Sequence, residues 1–461
     1  MTVLSALLLL GLLWVIYRQW SRWPLDIVAI FCVGFLLFYG FRAVVVAAGV
    51  DPLYPDYLFG ANSAMLAGRT NLLLCLFLGG VIGGLTLSSR IGLRLPRWMF
   101  PDIVSHPKGS RYFSVVVVLT AVSTVITLVL LARYDGFSGV VQASKYDRDL
   151  TGTNILRVFP SIGSLVAVAS ALDVARRYRG RFTAGQRQRL VVSVACAVLD
   201  GYFVFVWGQR SILAIVVFGL IAGLVAFRPS PRGSRASSLR IWGGIAVAVI
   251  VCVVTVVGLR FLRDTAATGD LSPNLKNETL IRQFSVASNS TSYDALVLAR
   301  RDWPSTFEFR GGQDFAAGVG AAVPRFLLPD KPTSISTGAW FRRVYEPDTV
   351  NGWPPGAVGE WYLNFGVLGV GFGGVLSGVV LGMLRFALRS SREHPLAFVT
   401  SAVVALQVIQ LGVGIETPLE WVRWCIPLVI VSAVLGATRR GREGLDGDVV
   451  APAGVTPVAP A

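Results

Sequence analysis

The composition of this 461-residue chain excludes a water-soluble globular protein. Its residues are 54% hydrophobic and only 15% charged, which is more apolar surface than one soluble core can bury. The formal net charge of +16 would suit a nucleic-acid-binding protein if the basic residues formed one face. They recur instead between apolar stretches, so a membrane protein is expected and a nucleic-acid partner is not.

Eleven apolar stretches are long enough to cross a bilayer, which takes about 20 residues, or fewer where Arg and Trp flank the stretch. In chain order the predicted spans are 4–17, 25–46, 71–87, 113–132, 158–174, 190–207, 212–227, 241–259, 363–383, 396–413 and 421–437. The glycine run at 366–382 supplies small-residue faces for close helix packing. The predicted fold class is therefore an all-α polytopic membrane protein with about 11 transmembrane helices.

Lys and Arg are distributed unevenly between the two alternating sets of connections. One set, together with the tail, carries 23 of them, whereas the short connections of the opposite set carry 6. The positive-inside rule places the first set in the cytoplasm. The sequence thus predicts a multi-pass protein of the inner (plasma) membrane, with an external amino terminus and a cytoplasmic carboxyl terminus.

Four segments follow from this topology: spans 1 to 8 in 1–259, a large external loop in 260–357, spans 9 to 11 in 358–438, and a disordered tail in 439–461. The external loop, between spans 8 and 9, is too long to be a mere connector. Apolar residues interspersed with polar ones at 280–298 predict short helices along the membrane surface. The frequent aromatic residues of the loop suit an interfacial belt, the commoner explanation, or stacking on sugar rings.

Neither cysteine nor histidine indicates a metal or cofactor site. All five cysteines lie inside predicted spans, and His106 and His394 fall in predicted cytoplasmic connections beside prolines. No metal and no cofactor is therefore expected, and a reaction on the external side would have no histidine base.

Three motifs follow one another in the second half of the chain. Residues 208–211 read Gly-Gln-Arg-Ser, 323–332 read Val-Pro-Arg-Phe-Leu-Leu-Pro-Asp-Lys-Pro, and 359–366 read Gly-Glu-Trp-Tyr-Leu-Asn-Phe-Gly. In this order they resemble segments of the Wzy-type polymerases of O-antigen repeat units: Gly-x-Arg-Ser, Pro-Arg followed by Pro-x-Lys-Pro, and Gly-Glu-x-Tyr-x-Asn-Phe-Gly. Arg282 and Asp294 resemble polar positions upstream of the last two segments. The similarity covers residues 200 to 385.

The resemblance implies a membrane glycosyltransferase that moves a glycan from undecaprenyl pyrophosphate onto the next lipid-linked unit at the external leaflet. The implied partners are this lipid-linked oligosaccharide, the membrane lipid, and a chain-length regulator or flippase. The leaving pyrophosphate develops negative charge, which arginine stabilises through its planar, permanently ionised fork. The cations expected to bind the pyrophosphate are Arg210, Arg282, Arg325 and Lys331.

The acceptor hydroxyl needs a general base, and without an external histidine that base must be a carboxylate. Glu360, where a Gly-rich approach meets an apolar helix, is the first candidate, and Asp294 is the second. The alternative role for Glu360 is to satisfy backbone amides at a helix start or to pair with an external arginine. The residues expected to contact the glycan are Tyr362, Asn364 and Trp353.

Two other functions stay open at this point. A glycan ligase would use the same lipid carrier with a different acceptor, and the missing external histidine argues modestly against it. A transporter or flippase of lipid-linked glycans would show inverted repeats and charges buried in mid-membrane. No internal repeat is evident, and Asp200, the one acidic residue deep within a predicted span, is expected to make a structural hydrogen bond. Arg42 and Arg423 are expected to snorkel from their spans, although either would suit a phosphate path.

Overall fold

A computed structural model describes most of the predicted spans and part of the predicted external loop. The described residues are 2–22, 25–59, 63–94, 109–143, 154–177, 182–207, 210–226, 291–322, 335–349, 352–388, 395–418 and 420–421, with short pieces between 243 and 258. Within these ranges all regular structure is helical.

The helices are numbered here in chain order. They are α1 (Thr2–Trp20), α2 (Ile27–Phe35), α3 (Phe41–Ala47), α4 (Ser63–Ile91), α5 (Gly109–Arg133), α6 (Gly136–Gln142), α7 (Val158–Arg177), α8 (Ala184–Val206), α9 (Arg210–Ala226), α10 (Thr291–Asp302), α11 (Gln313–Ala322), α12 (Thr337–Tyr345), α13 (Gly356–Ala387) and α14 (Pro395–Ile409). A turn of π-helix, Leu36–Gly40, joins α2 to α3 so that the two form one continuous span.

Seven helices of the described chain are long and apolar enough to cross a bilayer. They are Thr2–Trp20, Ile27–Ala47, Ser63–Ile91, Tyr112–Arg133, Val158–Arg176, Ala184–Val206 and Gly356–Ala387. Shorter apolar helices, Ile212–Gly223 and Pro395–Ile409, coincide with the predicted seventh and tenth spans. The predicted span 241–259 is described only in short pieces, and all but the first residue of 421–437 lies outside the described residues. An all-helical membrane fold is thus confirmed, whereas the number of eleven spans stays a prediction.

The α4 and α13 helices cross at backbone contact because glycines line both faces. A Cβ atom on Gly84 would overlap the backbone oxygen of Val375, and one on Gly374 would overlap that of Phe77. Lipid tails are as apolar as the helices, so such close van der Waals contact is a main source of helix pairing in a bilayer. The packing role predicted for the glycine run is confirmed at this crossing.

Gly84→Ala should destabilise the protein by about 1–3 kcal/mol, because the added methyl group meets backbone that cannot turn away. Gly83→Ala is the matched control: a Cβ atom at Gly83 meets no other atom within 4 Å, and alanine is the better helix former. Denaturant unfolding of the two purified variants in detergent measures the difference. Equal stability of both variants would contradict the glycine-mediated crossing.

A second group of helices packs around an apolar cluster centred on α7. The α7 residues Val166, Ala167 and Leu172 are fully buried among α5, α8 and α9. Helix α14 connects this group to the first one, because its Phe398 contacts the second cluster while its Val408 contacts the cluster around α4 and α13.

The prediction of membrane-surface helices at 280–298 is wrong for the part that the structure describes. Helix α10 packs against α4 and α13, and its residues Tyr293, Leu296 and Leu298 are fully buried. The phenol of Tyr293 donates to Asn71 Oδ1 at 2.8 Å. The five apolar residues at 295–299 cover most of the helix circumference, which suits a helix enclosed by others.

Candidate functional site

Helix α13 is interrupted at Gly366. Its φ of 64° and ψ of −151° lie in a region that essentially only glycine occupies. The interruption separates a short segment, 356–365, from a long segment that continues to Ala387. The ninth span is predicted to begin at residue 363, but the helix begins at Gly356. The Gly-Glu-x-Tyr-x-Asn-Phe-Gly motif therefore forms the short segment and its break.

The loop between α10 and α11 satisfies the backbone carbonyls that the break leaves open. The amide of Arg310 donates to Leu363 O at 3.0 Å, and the amide of Gly311 donates to Asn364 O at 3.0 Å. The amide of Gly312 donates to the side-chain oxygen of Asn364 at 3.0 Å. Irregular backbone at membrane depth is tolerated only where its polar groups find partners. The loop thus fixes the short segment in place.

Glu360 lies on the short segment of α13, with its carboxylate against the loop that follows α14. The amide of Gly414 donates to Glu360 Oε2 at 2.7 Å. A Cβ atom on Gly412 or on Gly414 would overlap the carboxylate oxygens, so this close approach requires glycine at both positions. The side chain remains partly exposed. Glu360 thus binds a backbone amide, but one from another segment rather than from the start of its own helix.

Two further carboxylates, Asp314 on α11 and Glu416 after α14, lie close enough to Glu360 to repel its charge. Burial raises the pKa of Asp314, although the Arg310 guanidinium pairs with this carboxylate at 2.7 Å. Desolvation by the surrounding protein raises the pKa of Glu416, and repulsion from the Glu420 carboxylate adds to this rise. The side chain of Glu416 nevertheless reaches solvent. Carboxylates in mutual repulsion favour retention of a proton, which suits general acid–base chemistry.

Arg310 is a cation that the structure pairs with one of these acids, Asp314. Its guanidinium lies over the Trp340 ring at 3.8 Å from the centroid, and its side chain is 23% exposed. Its Nε is buried without a hydrogen-bond partner. The exposed part of a guanidinium held against a ring is suited to bind an anionic oxygen. Arg310 was not predicted, because no motif includes it and only the Gly-Gly pair after it marks the turn.

The four cations predicted to bind pyrophosphate lie mostly beyond what the structure describes. Arg210 begins α9, and its side chain is outside the described part. Arg282, Arg325 and Lys331 are also outside the described residues. Their role in pyrophosphate binding stays a prediction.

Asp294, the second candidate base, belongs to a buried ion network. Arg42 Nε donates to Asp294 Oδ2 at 3.0 Å, and Arg42 Nη1 lies 2.5 Å from Asp51 Oδ2. Arg42 is 0%, Asp294 1% and Asp51 6% exposed. The prediction that Arg42 snorkels is therefore wrong, and Arg423 lies outside the described residues. An enclosed carboxylate cannot reach an acceptor hydroxyl in this arrangement, so the geometry favours a structural role for Asp294.

The side chains predicted to contact the glycan are all buried. Tyr362 Oη donates to Trp303 O at 2.9 Å and accepts from Arg300 Nη1 at 3.1 Å. Asn364 Nδ2 donates to Glu360 O at 2.9 Å, which links the break at Gly366 to the candidate base. Trp353 is 5% exposed, beneath the Arg342 guanidinium. In this arrangement these residues support the site from within, and glycan contact stays a prediction.

The described aromatic residues of the predicted external loop pack on one another. Ring centroids lie 4.6 Å apart for Trp303 and Phe307, 5.8 Å for Trp303 and Phe341, and 5.6 Å for Phe341 and Tyr345. Trp303 and Phe341 are almost fully buried. The belt favoured by the sequence analysis is thus wrong for these residues, which form the core of a cap made by α10, α12 and the turns between them.

No protein-family model matches the chain, and no curated protein or solved structure shows significant similarity to it. The Wzy resemblance therefore rests on the three motifs. Of these, the structure fully describes the one at 359–366, and it places that motif at the helix break, beside the acids and Arg310. In the described part of the chain no three His, Cys, Asp or Glu side chains are arranged to hold a metal ion.

Proposed function

We propose that the protein is a membrane glycosyltransferase that polymerises oligosaccharide repeat units carried on undecaprenyl pyrophosphate. The reaction takes place at the external leaflet of the plasma membrane, with the amino terminus outside and the carboxyl terminus in the cytoplasm. The cap made by α10, α12 and the turns between them covers the site. The observation that carries this proposal is the position of Glu360, partly exposed at an interrupted helix between the cap and a membrane span.

In the proposed reaction Glu360 accepts the proton of the acceptor hydroxyl. The acceptor oxygen forms a bond to the anomeric carbon of the donor glycan, and the bond from that carbon to the pyrophosphate oxygen breaks. The electron pair leaves with the pyrophosphate. Arg310 is the described cation suited to stabilise that charge, and Arg210, Arg282, Arg325 and Lys331 are the predicted ones. Asp314 and Glu416 supply the negative surroundings that favour a proton on Glu360 after the transfer.

One structural feature favours a second candidate, a transporter of lipid-linked glycans. Interrupted helices with open backbone groups form the binding sites of many transporters, and α13 is interrupted at Gly366. The polar groups at this break, however, are satisfied by the loop at 310–312. The break therefore serves to position Glu360 rather than to bind a cargo.

Purified protein in liposomes, given a lipid pyrophosphate-linked repeat unit and no nucleotide sugar, should produce a ladder of longer glycans. The products are separated by electrophoresis or mass spectrometry. Movement of the lipid across the bilayer with unchanged glycan length would support the transporter instead. Transfer of a single glycan to an unrelated acceptor, without a ladder, would indicate a ligase.

A further inference from the structure

Asp200 is buried inside the second helix group, away from the candidate active site. It lies on α8 with 0% exposure, enclosed by α5 and α7. Thr120 Oγ1 on α5 donates to Asp200 Oδ2 at 2.7 Å. On α7, Gly163 leaves the room that the carboxylate occupies, because a Cβ atom there would come within 2.5 Å of Oδ2.

The second oxygen of this carboxyl has no donor. Asp200 Oδ1 is buried without a hydrogen-bond partner. Ser123 on α5 lies beside the carboxyl, but its hydroxyl hydrogen is used, since Ser123 Oγ donates to Leu119 O at 2.8 Å. With the Ser123 hydrogen on Leu119 O, Ser123 Oγ is free to accept a hydrogen bond from a proton on Oδ1.

No cation in the described part of the chain neutralises Asp200. On α5 it faces Thr120 and Ser123, on α7 it faces Gly163, and one turn earlier on α8 the titratable neighbour is Cys196. An isolated carboxylate in an apolar interior costs several kcal/mol, so such a group takes up a proton instead. The surroundings thus favour the neutral acid.

Two more buried polar atoms without partners lie toward one end of this helix group. Thr127 on α5 lies two helical turns, about 10 Å, beyond Thr120. Trp207 at the end of α8 lies the same distance beyond Asp200. Thr127 Oγ1 and Trp207 Nε1 are both buried and unpartnered. The Arg157 guanidinium lies over the Trp207 ring at 5.6 Å. Unpaired buried polar groups are suited to binding water.

We propose that Asp200 is a proton-binding site that exchanges its proton with the side of the membrane on which Arg157 and Trp207 lie, which the sequence predicts to be external. The proton comes from water at that end, forms an O–H bond on Oδ1, and returns by the same route past Thr127. The site is separate from Glu360, and it does not depend on the proposed transfer reaction.

Dicyclohexylcarbodiimide, which adds to neutral carboxylic acids within membranes, tests the binding site. Wild-type protein in liposomes should be labelled at Asp200, located by peptide mass spectrometry. Labelling should fall about tenfold for each pH unit above the titration midpoint, as the neutral fraction does. Asp200→Asn should lose this adduct. Absence of an Asp200 adduct at every pH at which the protein is folded, or labelling that does not change with pH, would overturn the proposal.

Infrared spectroscopy tests the route past Thr127. The carbonyl band of the neutral acid should shift in heavy water, and Thr127→Val should slow that shift several-fold. Thr86→Val is the matched control, because Thr86 Oγ1 lies on α4 and donates to Ile82 O at 2.8 Å, away from Asp200. Equal exchange rates in the two variants would contradict exchange through Thr127.

Discussion

Glu360→Gln should lower the rate of glycan polymerisation by roughly 10²–10⁴-fold, the usual contribution of a positioned general base. The amide oxygen of glutamine can still accept the hydrogen bond from Gly414 N, which Glu360 Oε2 accepts at 2.7 Å. The side chain has nearly the same volume, so it still fits the space left by Gly412 and Gly414. The variant therefore loses the ability to accept a proton while it keeps the local fold.

The measurement is single-turnover ladder formation with the lipid-linked repeat unit in liposomes. Glu308→Gln is the matched control, since Glu308 carries the same chemical change on an exposed position of the cap. Its rate should equal that of the wild type. A Glu360→Gln protein with the wild-type rate would remove Glu360 from the mechanism, while leaving open whether the protein polymerises glycans.

The membrane fold could be predicted because hydropathy and span length are properties of contiguous sequence. Each of the nine apolar helices of the described chain overlaps a predicted span. The boundary error at α13 has a physical cause. The residues at 356–362 include Glu360 and Trp361 and read as a loop, yet they form helix because the cap and the loop after α14 surround them.

The candidate site could be predicted only in part. Glu360 stands out because its motif is contiguous, whereas Arg310 becomes significant through contacts with Trp340 and Asp314 that no sequence spacing indicates. Asp294 and Arg42 show the opposite error. Each looks functional or interfacial by itself, but the fold pairs them across 252 positions of the chain. Long-range pairing of charges is what single-sequence patterns do not contain.

Arg42→Met should destabilise the protein by about 3–5 kcal/mol, the largest stability effect expected from one substitution in the described chain. Methionine fills much of the same volume, but it leaves the buried Asp51 and Asp294 carboxylates without their cation. The Pro52 carbonyl also loses the donor Arg42 Nη2, which lies 2.6 Å away. Arg18→Met is the matched control, since Arg18 is exposed and its loss should change stability by less than about 0.5 kcal/mol.

The loss in Arg42→Met should grow with pH. Burial raises the pKa of Asp294 to about 7, while Arg42 opposes that rise. The folded state therefore holds this proton more tightly than the unfolded state, and the contribution of Asp294 to stability is lost as pH rises from about 4 to about 7. Without Arg42 the pKa rises further and the ionised form is costlier, so unfolding in detergent should show a larger deficit at about pH 8 than at about pH 5.

Adding Asp294→Asn to Arg42→Met should recover part of the stability and remove most of the pH dependence, because one uncompensated buried charge is gone. Asp51→Asn tests the other carboxylate in the same way. A deficit below about 1 kcal/mol in Arg42→Met, as expected of an exposed ion pair, would show that the network is solvated. The cap helix α10 would then be held to the second span by its apolar contacts alone.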